Sequence, residues 1–309
     1  MAIPILIDTD IGSDIDDAFA IALALQSPEV EIKGVTTVFC NTDRRTALAE
    51  MLLKLAGRED IPVHTGLSHP IVQREMFDRP IDFDDGVPEW LEEFEKYLVP
   101  KPHDAPQFIV ETLEKAERPL VILTLGALTN IAAVLTVRPD LKKKIDYLMI
   151  MGGSYFMNYQ EYNFSCDPEA AKIVTESGLK MKFVGLDITR RCCMGPEYVR
   201  KLKEAESPVI KALMKMARLH GEYIYLHDPL AMFCIVSDAY VTFEKALLTV
   251  ETAGRFSRGL SVNLNDNNWH RGAAESTTEI AVRAEEREFA EECFRRIMRF
   301  ESQYAARTA

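Results

Sequence analysis

The sequence predicts an α/β fold: a mostly parallel central sheet with helices on both faces. Three observations predict it. Apolar strand-like runs alternate with helical stretches through about residue 190. No linker and no internal repeat interrupts the alternation, so residues 1–309 are expected to form one domain. With 309 residues, 47% of them hydrophobic, the chain can bury a large core.

The elements follow in order. Ile3 to Ile7 reads as a buried strand and Ala18 to Leu25 as a buried helix, because both are near-continuously apolar. Glu31 to Phe39, with Val-Thr-Thr-Val inside it, is the second strand and runs into Cys40-Asn41-Thr42-Asp43. Arg44 to Ala56 is an amphipathic helix, with Thr42 or Asp43 placed to cap it. Ile61-Pro62-Val63 is a short strand. Residues 66–106 are irregular and rich in proline and acids, including Asp82, Asp84 and Asp85; so long a stretch is expected to be a functional loop or lid. Ala105 to Ala116 is a helix, and Leu120 to Leu125 a strand that turns at Gly126 into the helix Thr129 to Leu135. Tyr147 to Met151 is a strand ending in Gly152-Gly153. Asp167 to Glu176 is a helix, Lys182 to Leu186 a strand, and Glu197 to Leu226 mostly helical. The tail holds β-rich pieces at Leu247 to Glu251 and Gly259 to Leu264, then a helix from Glu285 to about Arg299.

Composition excludes several function classes. A net charge of −12 argues against nucleic acid as a partner. No apolar run approaches the ~18 residues needed to cross a bilayer. No basic-then-apolar leader precedes the first strand. The cysteines Cys40, Cys166, Cys192, Cys193, Cys234 and Cys293 form no C-x-x-C pair and are read as free thiols, so a cytoplasmic location is expected. No phosphate-binding glycine motif follows a strand, and no Ser or Cys sits in a nucleophile elbow.

In open parallel sheets ligands bind beyond the carboxyl ends of the strands. The chain delivers carboxylates and amides there: Asp8 and Asp10, then Asn41, then Leu125 and Gly126, then Met151, then Asp187. The first turn is the most acidic point, with Asp8, Asp10, Asp14, Asp16 and Asp17 between two apolar runs. Helix capping and the helix dipole explain one or two of these acids, not five. Crowded carboxylates repel one another, and a hard cation such as Ca²⁺ or Mg²⁺ relieves the repulsion. Asp-Thr-Asp after a first strand also opens phosphatases with an aspartyl nucleophile; those need a Lys and a Ser or Thr at later strand ends, where this chain has Asn41, Leu125 and Met151. Two further stretches add polar groups. Glu161 and Asn163 alternate with aromatics, so an extended segment would turn both to one side, with Asn158 just upstream. Asp167 and Pro168 start the next helix. His227-Asp228-Pro229 interrupts an apolar helical region; it is either a capped helix break or a metal ligand beside an acid–base histidine.

Together these motifs resemble the inosine-uridine preferring nucleoside hydrolase family. The matching residues are Asp8-Thr9-Asp10 with Asp16-Asp17-Ala18, Asn41 after Val-Thr-Thr-Val, Gly126-Ala127-Leu128-Thr129-Asn130, Met151-Gly152-Gly153, Glu161-Tyr162-Asn163 with Asp167-Pro168-Glu169-Ala170-Ala171, and His227-Asp228-Pro229. They run in family order to about residue 235. The resemblance implies an open, Rossmann-like sheet and hydrolysis of ribonucleosides to ribose and free base. It implies one Ca²⁺ held by Asp10, Asp17, Asp228 and the backbone carbonyl of Leu125, with Asp10 activating a calcium-bound water. Asp16, Asn41, Asn158, Glu161 and Asn163 would hold the ribose hydroxyls, and His227 would be the acid for the leaving base. A homodimer or homotetramer is implied as well.

The chain departs from the family pattern at three places. Two extra residues between Gly12 and Asp16 leave Asp14 without a counterpart. Asp82-Phe83 stands where the family has His-Gly, and the segment from Gly153 to Glu161 is short. The preferred base is not fixed by these motifs, and a non-catalytic calcium- or sugar-binding protein would share the acid cluster.

Overall fold

The computed structural model describes residues 2–12, 14–72, 97–217, 221–265 and 276–308. The Asp82-Phe83 segment, with most of the expected lid, lies outside the described residues, as do His220 and His270.

In chain order the elements are β1 (Ile3–Thr9), α1 (Asp16–Leu25), β2 (Val30–Thr37), α2 (Thr42–Leu55), β3 (Val63–His64), α3 (Ala105–Lys115), β4 (Leu120–Thr124), α4 (Thr129–Val137), β5 (Ile145–Met151), α5 (Tyr162–Cys166), α6 (Pro168–Thr175), β6 (Met181–Val184), α7 (Leu186–Thr189), β7 (Cys193–Met194), α8 (Pro196–Lys203), α9 (Pro208–Met216), β8 (Ile224–Tyr225), α10 (His227–Val236), β9 (Val241–Lys245), β10 (Leu248–Val250), β11 (Ser261–Asn263), β12 (Thr278–Ala284), α11 (Glu286–Ile297) and α12 (Arg299–Thr308).

Eight strands form one sheet in the order β3-β2-β1-β4-β5-β6-β12-β9. All neighbours are parallel except β9, which runs antiparallel to β12 at the edge. Side chains alternate across the strands and build two cores. Ile5 and Ile7 face a core shared with α1, α2, α9, α10 and α11. Leu6 faces the opposite core, shared with α3, α4 and α6. Helices therefore cover both faces, as the sequence predicts. The strand order reverses between β1 and β4, and such a switch opens a crevice at the carboxyl ends of the strands.

The structure changes four of the expected elements. Glu161 and Asn163 do not lie on an extended segment; α5 begins at Tyr162 and Glu161 is its N-cap. Asn41, not Thr42 or Asp43, caps α2, its side-chain oxygen accepting from the Arg44 N–H. Between 197 and 226 the described residues form α8, α9 and β8. The tail contributes β12 and β9 to the main sheet, where only the smaller β10–β11 pair was expected. Among the described residues no helix is long and apolar enough to cross a membrane.

Candidate active site

A cavity of about 790 Å³ opens beside the carboxyl ends of β1, β4 and β5. Asp10, Asp14, Asp16, Asp17, Leu125, Asn158, Glu161, Asn163, His227 and Asp228 all line it. The structure thus gathers every site residue expected from the sequence but one. Among the described residues that line the cavity, Asn41 is not found; its side chain is engaged at the start of α2.

The acids arrive from three places. β1 ends at Thr9, so Asp10 emerges from the middle of the sheet. Asp16 and Asp17 form the first turn of α1, where unpaired N–H groups and the helix dipole favour negative charge. Asp228 sits in the first turn of α10, which packs against α1. The Asp228 N–H donates to Asp16 Oδ2 at 3.2 Å, tying the two helix starts together. The Thr9 hydroxyl donates to Asp17 Oδ1. Oxygens of Asp16, Asp17 and Asp228 all lie within 4.8 Å of one another. Asp10 lines the same cavity but is not in that trio.

Burial, and then mutual repulsion among Asp10, Asp14, Asp16, Asp17 and Asp228, holds the Asp16, Asp17 and Asp228 carboxyls well above the usual carboxylate range. Three buried carboxylates at this spacing could hold a cation between them. The donors are all oxygen, which fits a hard divalent ion and not zinc. Close approach of strands keeps the pocket floor tight. A Cβ on Gly126 would meet Asp10 Cβ and Val38 Cγ1 at 2.9 Å.

The opposite wall comes from β5 and α5. Glu161 accepts N–H bonds from Gly153 at 2.9 Å, Asn163 at 2.8 Å and Phe164 at 3.0 Å, which fix its carboxylate facing the cavity. Burial outweighs these bonds and raises its pKa to about 7. Asn163 Nδ2 donates to the carbonyls of Leu125 at 2.9 Å and Met151 at 3.1 Å. Asn158 lies in a loop fastened by Asp187, whose carboxylate accepts from the Ser154 hydroxyl at 2.5 Å and the Tyr155 N–H at 2.9 Å. His227 begins α10, its Nδ1 2.7 Å from Thr189 Oγ1 and its ring stacked on Tyr225.

Sequence reasoning missed two groups here. Tyr159, Tyr162 and Phe256 line the cavity and are exposed, Phe256 to 81%. Nothing in the local pattern of Tyr159 and Phe256 separates them from ordinary loop aromatics, whereas Tyr162 begins α5 and stands inside the Glu161-Tyr162-Asn163 motif, without its place in the cavity being readable. Arg45 is fully buried beside the first turn. Its helical register with Leu48, Ala49 and Leu52 puts it on the buried face of α2, and that register was a readable signal. Asp8, delivered by β1, is not among the described residues that line the cavity: Thr36 Oγ1 at 2.5 Å and Asn130 Nδ2 at 2.8 Å both bond its Oδ1. Its Oδ2 is buried without a partner, and burial lifts its pKa to about 7.

Comparison with known proteins places this architecture. The family described as inosine-uridine preferring nucleoside hydrolase matches residues 5–291. A pyrimidine-specific ribonucleoside hydrolase, RihA, from Escherichia coli O1:K1 is 31% identical, over 85% of this chain and 88% of its own. A plant nucleoside hydrolase structure superposes with a TM-score of 0.81 at 28% identity, covering 96% of this chain and 99% of the other. A purine-preferring ribonucleoside hydrolase from Gardnerella vaginalis gives a TM-score of 0.79 at 26% identity, covering 96% and 99%.

Proposed function

The chain belongs to the inosine-uridine preferring nucleoside hydrolase family and is an enzyme of that type, and from this premise we propose a calcium-dependent cleavage of the N-glycosidic bond of ribonucleosides. The observation that carries the reading is the buried trio Asp16, Asp17 and Asp228, set in one cavity with Asp10, Glu161, Asn163 and His227.

Breaking an N-riboside builds positive charge on the sugar ring. Carboxylate and amide oxygens fixed around that ring stabilise the charge as it develops. Asp10, Asp17, Asp228 and the Leu125 carbonyl are the proposed calcium ligands; Asp16, although its carboxylate lies with those of Asp17 and Asp228, is assigned to the ribose, and Asp10 lines the same cavity outside that trio. The ion, when bound, supplies a chelating centre for a vicinal diol and a positive charge that acidifies a neighbouring water. Asp10 takes the proton of the attacking water. Asp16, Asn158, Glu161 and Asn163 hold the ribose hydroxyls; Asn41, whose side chain caps α2, is not among the described residues that line the cavity. For Glu161 the fixed orientation from three N–H groups supports this role. His227, at the cavity wall, gives the leaving base its proton. The RihA relative is named for pyrimidines and the Gardnerella enzyme for purines, so neither preference transfers to this chain. The proposed assembly is a homodimer or homotetramer of one-domain chains, which light scattering on the purified protein tests.

The decisive experiment is a reducing-sugar assay on inosine and uridine alongside elemental analysis. Ribose release with about one Ca²⁺ per chain is expected, and Asp17→Ala should lose both. Ribose release that survives exhaustive chelation would remove the calcium. Binding of calcium or ribose without release would leave a non-catalytic binding protein.

A further inference from the structure

Arg45 lies on the inner face of α2 with no solvent exposure. Its Nε donates to the Phe39 carbonyl at 2.7 Å. Its Nη1 donates to the Ile11 carbonyl at 3.1 Å and also to the Asp10 carbonyl. One planar guanidinium therefore joins the chain leaving β1 to the chain leaving β2. Burying that charge is costly and is tolerated only with good acceptors. An apolar side chain would satisfy the packing of α2 alone.

The segment it holds after β2 is unusual. Phe39 and Cys40 have φ of 65° and 56°, a left-handed conformation that residues with a side chain rarely adopt. Such backbone persists only where its surroundings fix it. The Phe39 N–H donates to the Leu67 carbonyl at 2.8 Å and the Cys40 N–H to the Ser68 carbonyl at 2.9 Å. Arg45 holds the same turn from the carbonyl side. Gly126 lies close against both Asp10 and Val38, the residue before this turn, since a Cβ there would meet each at 2.9 Å. The strained turn, the guanidinium and the Asp10 backbone thus form one rigid unit under the acid cluster.

We propose that Arg45 is a positioning residue of the active site, whose planar fork clamps the Asp10 backbone to the left-handed turn at Phe39 and Cys40 and so sets the aim of the Asp10 carboxylate. The inference rests on the calcium-dependent hydrolase reading above, in which Asp10 is both ligand and base. Lysine offers the same charge from a single nitrogen and cannot reproduce the fork across two chain segments.

The test compares the wild type with Arg45→Lys and Arg45→Met by circular dichroism, calcium titration, and kcat and KM on inosine. Arg45→Lys should keep native circular dichroism while its calcium affinity falls about 10–100-fold. Its kcat should fall about 10²-fold, the scale of a 1 Å misplacement. Arg45→Met should fare no better. A merely structural arginine would lower Tm and leave calcium affinity and kcat of the folded protein unchanged, which would overturn the inference. Full recovery by lysine would overturn it too, because charge alone would then suffice. Should Arg45→Lys not fold, Cys40→Gly decides, since glycine adopts the turn freely and relaxes what the guanidinium leans on. It should weaken calcium binding and kcat by about 10-fold, and unchanged values would sink the clamp. A wild type that neither binds calcium nor releases ribose overturns the underlying function instead.

Discussion

Among the described residues His227 is held by Thr189 Oγ1, 2.7 Å from its Nδ1, and by stacking on Tyr225. Burial pulls its pKa below the ordinary histidine value, and the charge of Asp14 opposes that pull. A general acid contributes about 10²–10⁴-fold, and only where the leaving group needs a proton. His227→Ala should therefore cripple inosine hydrolysis and largely spare nitrophenyl riboside, whose phenolate departs unaided. If His227 only seats the adjacent Asp228, both substrates should fall together. Parallel kinetics on the two substrates separate the roles. At this scale the sequence reveals residues whose chemistry is costly unless used. Asp10, Asp16, Asp17 and Asp228 stand out because buried acids repel. Glu161 and Asn163 are legible as a pair but not in their geometry, because a five-residue helix with a glutamate cap reads like a strand in so short a window. Arg45 is legible only through its register with Leu48, Ala49 and Leu52, because basic residues in amphipathic helices are usually solvated.

Among the elements, α11 depends on one arginine. The side chain of Arg296 is 7% exposed and bonds Glu29 through both terminal nitrogens at 2.8 Å, Ser27 Oγ at 2.8 Å and Glu292 at 2.7 Å. Its guanidinium also lies over the Phe233 ring of α10. The latch joins the last long helix to the α1–β2 turn. Arg296→Met should cost about 2–3 kcal/mol in urea denaturation, the scale of hydrogen bonds to charged groups. The arginine hydrogen bonds lower the Glu29 pKa below the ordinary 4.5. For Glu292 burial works the other way, yet the bonds to Arg296 and Arg295 outweigh it and the net shift is again downward. Both glutamates thus have folded values below their unfolded ones. Their contribution is complete above about pH 4.5 and is lost as pH falls through the depressed values. The variant should consequently lose less stability than the wild type between pH 5 and about pH 3. An equally steep acid loss in both proteins would show that the latch carries no net charge pairing. The elements up to β6, α5 excepted, were legible because each carries a local apolar pattern of one period. β12 and β9 were not, because Thr278–Ala284 mixes alanine with charged residues and earns its strand from distant pairing with Met181–Phe183 and Val241–Lys245.

The whole molecule carries the acid cluster as a strain on its own stability. Folding brings Asp10, Asp16, Asp17 and Asp228 together from chain segments more than two hundred residues apart, and removes them from water. The strand-order reversal that opens the crevice fixes this meeting point, so the fold cannot relax it without losing the sheet. A cation that binds only the folded state stabilises it by mass action, by about 2.7 kcal/mol at a hundred times its dissociation constant. For a large domain about 1 kcal/mol shifts Tm by roughly 2–4 °C, so saturating calcium should raise Tm by roughly 5–10 °C. Asp17→Asn separates charge from packing. The amide keeps an oxygen to accept from the Thr9 hydroxyl and removes one of the repelling carboxylates. Without calcium the variant should be at least as stable as the wild type, and with calcium it should gain little. A structural aspartate predicts the reverse, a variant less stable in chelator, because its buried hydrogen bond would be the larger contribution. Thermal scans of both proteins, in chelator and in calcium, therefore decide whether Asp17 serves the fold or is tolerated by it for the sake of an ion.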